Sequence, residues 1–303
     1  MTVIEVQRLE KRYGDRAAVR DVSFTVERGE IFGIIGRNGA GKTTTVEVVE
    51  GLRRADGGTV RVLGRDPADP AVRQRLGVQL QESQLPDRLR VGEAMALFAS
   101  FYERPADTGE LLERVGLAGH VRQQYKKLSG GQKQRLSIAL SLVGSPEVAV
   151  LDELTTGLDP QARRDTWQLI SAVRDRGVTV LLVTHFMDEA ERLCDRIAVI
   201  DAGRTVAIDT PSGLIRQVCG GVTVTFRPSA PIEAEDLAAV PGVAAVRAAD
   251  HLWTVTGTGN LAHEVSAALA ARGVVPLSLN IVQADLETAF IALTGDRADR
   301  RES

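Results

Sequence analysis

The sequence predicts an α/β chain in two parts, and three observations carry that prediction. Short β-branched runs alternate with segments of helical period through the first two thirds of the chain. A glycine pair, Gly220-Gly221, then breaks the pattern. Beyond it a new order begins, strand–helix–strand–strand–helix–strand, which is that of a small α+β unit of the ferredoxin-like kind.

In the larger part, residues 22–26 alternate as a half-buried strand and 31–35 read as a fully buried one. Further strands are predicted at 59–63, 76–80, 148–151, 178–183 and 197–200. Apolar residues at helical spacing predict helices at 91–102 and 160–174, and a third at 132–143 behind a glycine pair. In the smaller part, strands are predicted at 222–226, 243–247, 253–256 and 274–281, with helices at 233–240, 262–271 and 284–293. The domains are thus expected at 1–217 and 221–295. The charged residues 296–303 lack apolar periodicity and read as a flexible tail.

With 303 residues, 44% hydrophobic and 25% charged, the composition is that of an ordinary globular chain, and the longest apolar runs fall far short of the roughly 20 residues of a membrane helix. A formal net charge of −3 supplies no uniform positive field, so nucleic acid is not expected as a partner. Cys194 and Cys219 cannot form a disulfide framework and have no ligand-spaced neighbours. The first ten residues lack a continuous apolar core, so they are not read as a secretory signal, and a reducing, cytosolic setting is expected.

The strongest local signal is Gly36-Arg37-Asn38-Gly39-Ala40-Gly41-Lys42-Thr43, followed by Thr44. A buried strand ends at Ile35, a glycine-rich loop turns, and a helix opens at Lys42, so backbone N–H groups converge on a phosphate. In such a loop the lysine contacts the β- and γ-phosphates and the threonine hydroxyl ligates Mg²⁺. The bland alternative is a glycine-rich turn that binds nothing. A second signal is the apolar run 148–151 ending in Asp152-Glu153, which puts two acids at the carboxyl end of a strand, where open α/β sheets bind ligands. Side-chain alternation predicts separate jobs for them: Asp152 as the Mg²⁺ carboxylate, Glu153 to orient and deprotonate water. An acid pair there could instead cap a helix. Third, Leu128-Ser129-Gly130-Gly131-Gln132 opens another helix and forms a second anion cradle. One nucleotide has no use for two cradles in one chain, so this one is expected to close over ATP held by another subunit.

Residues 1–217 resemble the ATP-binding cassette (ABC) family of transporter ATPases, with a P-loop NTPase fold that carries a helical subdomain. The resemblance implies that Gln81 touches Mg²⁺ and the attacking water and lines the groove for a membrane partner, with Gln79 its rival. It implies that Asp159, in Gly157-Leu158-Asp159, crosses between two sites of a dimer, that His185 contacts the γ-phosphate, and that Tyr13 stacks on adenine. Leu154 stands where the family usually has proline. The C-terminal part is similar to the extension on bacterial drug-resistance exporter ATPases of the daunorubicin-resistance type.

Taken together, the resemblance implies an ATP- and Mg²⁺-dependent ATPase. Catalysis would rest on Glu153, His185, Gln81 and Lys42. Its partners would be a second copy or homologue, in a head-to-tail dimer, and a separately encoded permease on the inner face of the membrane. The protein would be an exporter of drugs or other small hydrophobic compounds. A soluble ABC ATPase of translation or DNA repair, or an importer ATPase, are the other readings.

Overall fold

The structure, a computed structural model, describes residues 1–79, 85–218, 221–249 and 251–295. Predicted Gln81 and the tail 296–303 lie outside these residues. The chain divides into two units, Met1–Thr210 and Pro211–Ser303.

The first unit runs β1 (Thr2–Tyr13), β2 (Arg16–Glu27), β3 (Ile31–Ile35), α1 (Lys42–Val49), β4 (Gly57–Val62), α2 (Pro70–Arg73), β5 (Leu76–Gln79), α3 (Val91–Ala99), α4 (Thr108–Arg114), α5 (Gly130–Leu142), β6 (Val148–Asp152), α6 (Pro160–Arg174), β7 (Thr179–Val183), α7 (Met187–Leu193), β8 (Arg196–Asp201) and β9 (Arg204–Asp209). Its strands make one sheet of order β4-β1-β2-β9-β8-β3-β7-β6-β5 among the described residues. Strands β5, β6, β7, β3 and β8 are parallel, while β1 pairs antiparallel with β2 and β4.

Every residue of β3, β6 and β7 is buried. That is why their sequences are continuous apolar runs: a parallel strand covered on both faces has no polar side. β1 has no counterpart among the predicted strands. Val3, Ile4, Val6 and Leu9 are all buried, but register shifts interrupt the pairing and Arg8 adopts φ 47°. The irregular step changes the phase of the side chains, so the strict alternation that marks a strand is lost.

Helices α3, α4 and α5 carry a core of their own, built on Val91, Met95, Leu111, Leu117, Leu136 and Val143. This is the helical subdomain. No described helix is long and apolar enough to cross a membrane.

The second unit contains α8 (Pro211–Val218), β10 (Val222–Pro228), α9 (Ala234–Ala238), β11 (Val243–Ala249), β12 (Leu252–Gly257), α10 (Leu261–Ala271), β13 (Pro276–Gln283) and α11 (Leu286–Gly295). The expected boundary at 217–221 is corrected here. Helix α8 packs against α11 and so groups with the second unit, although it precedes the glycine pair. The four strands form an antiparallel sheet of order β11-β12-β10-β13. With α9 and α10 between the strands this is the predicted βαββαβ order, closed over Val224, Phe226, Leu237, Val255 and Leu269. Trp253 is partly buried against that core.

Candidate nucleotide site

The loop between β3 and α1 is shaped by glycines that admit no substitute. A Cβ on Gly36 would stand 2.3 Å from the Ile200 carbonyl oxygen, and one on Gly41, at φ +101°, would stand 2.6 Å from that of Ala18. The chain therefore passes flush against β8 and β2 before α1 begins. Gly41 is the N-cap and offers no side-chain partner to the helix, so the first-turn N–H groups remain available to a ligand, as at any uncapped helix start.

A cavity of about 510 Å³ lies over this loop, lined by Tyr13, Arg16, Ala18, Asn38, Gly39, Gly41, Lys42, Thr43, Thr44 and Glu153. A larger hollow of about 850 Å³, between the end of α1, β4 and α2, contains none of the predicted site residues. The smaller cavity is the one lined by predicted site residues. Gly36 and Ala40 are buried beneath it, while Arg37 is exposed.

Lys42 is buried, and its Nζ donates to the carbonyls of Gly36 at 2.7 Å and Arg37 at 3.3 Å. Burial pulls its pKa below the ordinary ammonium value, opposed by the negative charges of Glu153 and Asp152. The ammonium is thus held on the loop it would share with phosphates. Asp152 ends β6 and is also buried. Burial pushes its carboxyl up to about 6, helped by the charge on Glu153 and opposed by Lys42. Its Oδ1 has no hydrogen-bond partner. A buried acceptor without a donor is costly, and a hard cation is the natural partner for such an oxygen.

Glu153 takes a different direction from the expected one. The strand ends at Asp152, and Glu153 turns into the left-handed region at φ +48°. The two acids separate through this turn rather than through strand alternation. The Glu153 carboxylate then lines the cavity and lies 3.2 Å, at Oε1, from His185 Nδ1. With the proton on Nδ1 the imidazole donates to Glu153 and fixes its orientation. The His185 ring sits against Phe186, with centroids 4.1 Å apart. Leu154, the departure from the family's proline, is fully buried and anchors the turn by packing.

Tyr13 is 41% exposed at the rim. The Arg53 guanidinium lies 5.2 Å and the Lys11 ammonium 5.9 Å from its ring centre. Gln79, the rival of Gln81, is buried and accepts from the Asp152 N–H through Oε1 at 3.1 Å, which braces the end of β6.

The second cradle lies apart from the cavity lining. Ser129 caps α5: its Oγ accepts from Gln132 N–H at 3.3 Å while Gln132 Oε1 accepts from Ser129 N–H at 2.9 Å, a reciprocal capping box. Asp159 caps α6 by accepting from the N–H groups of Gln161 and Ala162. The two helix starts approach closely, for a Cβ on Gly131 would stand 3.3 Å from that of Ala162. The first unit thus brings together Tyr13, the 36–44 loop, Asp152, Glu153 and His185. Residues 129–132, with Asp159, form a separate cluster.

A family described as ABC transporter matches residues 19–156. The Nod factor export ATP-binding protein I of Burkholderia lata is 43% identical over 224 residues, covering 72% of this chain and 74% of that protein. This chain belongs to the ABC transporter family. The protein of the same name from Rhizobium etli is 38% identical over 244 residues, covering 78% and 77%. Among solved structures, an ATP-binding subunit of an ABC transporter superposes with a TM-score of 0.64 at 30% identity, covering 71% of this chain and 92% of that one. A nucleotide-free ATP-binding cassette from an ABC transporter gives 0.62 at 25% identity, covering 69% and 92%. As an ABC transporter ATP-binding subunit, the chain is an ATPase.

Two residues near the site carry no motif. Arg16 lines the cavity from the start of β2. Glu50, at the end of α1, is 5% exposed, and burial followed by the charges of Asp152 and Glu47 pushes its carboxyl up to about 8. Little in the sequence points to Glu50, because Glu47 shares its turn and only the fold decides which of the two acids is buried.

Proposed function

We propose that the chain powers an exporter by closing with a second ATP-binding subunit, head to tail, around two molecules of ATP. The observation that carries this reading is the convergence of the buried Lys42, the unpartnered Asp152 Oδ1 and the His185-oriented Glu153 at one phosphate loop. Lys42 and the first-turn N–H groups of α1 hold the phosphates, and Tyr13 offers its exposed face to the base. Asp152 and Thr43 would hold Mg²⁺, with Gln81 a further ligand; when bound, the ion neutralises charge developing on the transferred phosphoryl group. Glu153 takes the proton of the attacking water, and His185 keeps its carboxylate aimed.

Ser129, Gly130, Gly131 and Gln132 complete the site of the opposite chain. The separation of this cluster from the cavity lining supports that reading, because residues 129–132 do not line the cavity over their own chain's 36–44 loop. Phosphoryl transfer is mostly positioning and charge stabilisation, so the closed dimer is the device within which Glu153 acts on water. The export direction is supported by the names of the relatives. A separately encoded permease holds the pair at the inner face of the membrane and selects the cargo, here a drug-like or other small hydrophobic compound.

The test is Glu153→Gln. Loss of a general base costs roughly 100- to 10,000-fold in rate, so the variant should bind ATP, turn over very slowly and run as an ATP-dependent dimer in sizing experiments. Turnover near the wild-type rate would remove Glu153 from the mechanism.

A further inference from the structure

Among the described residues, the β13 edge of the second unit's sheet has no strand paired to it. Strand β13 is terminal in its sheet and pairs on one side with β10. Its sequence, Pro276-Leu-Ser-Leu-Asn-Ile-Val-Gln283, contains no charged residue. Leu277, Leu279, Ile281 and Val282 are 51%, 40%, 48% and 50% exposed. The opposite edge, β11, is built differently: four of its seven residues are alanine and Arg247 stands in it, exposed. Proteins ordinarily blunt free edges with charge, because a bare row of N–H and C=O groups templates another strand. β11 follows that rule, whereas β13 carries no charge and is interrupted only at its start, by Pro276 and by the register shift beside Ser278 at φ 52°.

We infer that β13 pairs antiparallel with β13 of a second copy of this chain, joining the two small sheets across a two-fold axis. The inference rests on the two-subunit reading above. An antiparallel pair of identical strands is self-complementary by symmetry, and an uncharged strand brings no like-charge repulsion to its own copy. Strand addition of this kind draws affinity from main-chain hydrogen bonds and specificity from alternate side chains.

Size selects the occupant. Stable interfaces take about 800 Å² and 20–30 residues from each partner. One eight-residue strand falls well below that. Such a patch can engage a chain already held nearby, where tethering raises the effective concentration to the millimolar range, and the other ATPase subunit is that chain.

The test uses the full chain carrying Glu153→Gln and Cys219→Ser, with Leu279→Cys, Asn280→Cys or Ile281→Cys added singly; Cys194 is buried and stays silent. Opposed residues of an antiparallel pair lie about 4.5–5.5 Å apart at Cα, within disulfide reach. With ATP, sizing should show a dimer. Mild oxidation should link it covalently at one or more of the three positions, but not at Ala245→Cys or Ala248→Cys on β11. Adding Leu277→Lys with Val282→Lys should cut that linkage at least tenfold while leaving the dimer seen by sizing. A dimer that never links through β13, or that links equally through β11, would overturn the inference and leave the two-subunit reading standing. No dimer at all would overturn both.

Discussion

Lys42 and Asp152 show how single side chains set up this site. Lys42 is buried on the carbonyls of its own loop, and within the described first unit it is the cation placed beside both acids. Lys42→Ala should therefore weaken ATP binding itself, measured by titration with a fluorescent analogue, whereas Glu153→Gln should not. Equal affinity for Lys42→Ala and wild type would contradict the phosphate role. Glu50 gives a prediction about pH. Its unfolded carboxyl ionises near 4.5 and its folded one near 8, so between these values the unfolded state binds fewer protons and stability falls as pH rises. Above pH 6.5 the carboxyl of Asp152, raised to about 6, has largely titrated. Urea unfolding at pH 6.5 and 8.0 should show wild type losing at most about 2 kcal/mol more than Glu50→Gln over that interval. Identical pH dependence would mean that Glu50 is not the buried acid its surroundings imply.

At the scale of elements, the start of α1 and the end of β6 decide whether the cavity exists. Gly41→Ala forces a Cβ against the Ala18 carbonyl at φ +101°, so it should lower ATP affinity at least tenfold without changing far-UV circular dichroism. Unchanged affinity would mean that the loop can move aside. Leu154→Ala removes a fully buried side chain from the Glu153 turn and should cost about 2–5 kcal/mol in urea unfolding. These same elements were the legible ones. β3, β6 and β7 announce themselves as apolar runs because parallel strands are covered on both faces, and the loop before α1 is written in glycines whose reason is visible contact with β8 and β2. The capping box Ser129/Gln132 was readable as a helix start. Less legible were β1, whose irregular register hides its alternation, and α8, which precedes the glycine pair yet packs on α11. The geometry of Glu153 was misread for a local reason: pleat alternation stops where the backbone turns left-handed. Its contact with His185 joins residues 32 positions apart and has no local signal at all.

For the whole molecule, the central claim is that each ATP is held by the loop of one chain and the α5 start of another. Within one chain those two groups sit in separate clusters, the first lining the cavity, the second locked in helix caps. Ser129→Arg puts a bulky cation at the closing surface while leaving the nucleotide's own pocket intact. The most direct measurement is the steady-state ATPase rate of Ser129→Arg, alone and mixed with Lys42→Ala. Alone, Ser129→Arg should bind ATP with near wild-type affinity and fail to turn it over. Mixed, the heterodimer contains one site with both defects and one with neither, pairing Lys42 of the first variant with Ser129 of the second, so ATPase activity should partly return. A Ser129→Arg protein that hydrolyses ATP at the wild-type rate would contradict the account, for the second cradle would then have no part in catalysis.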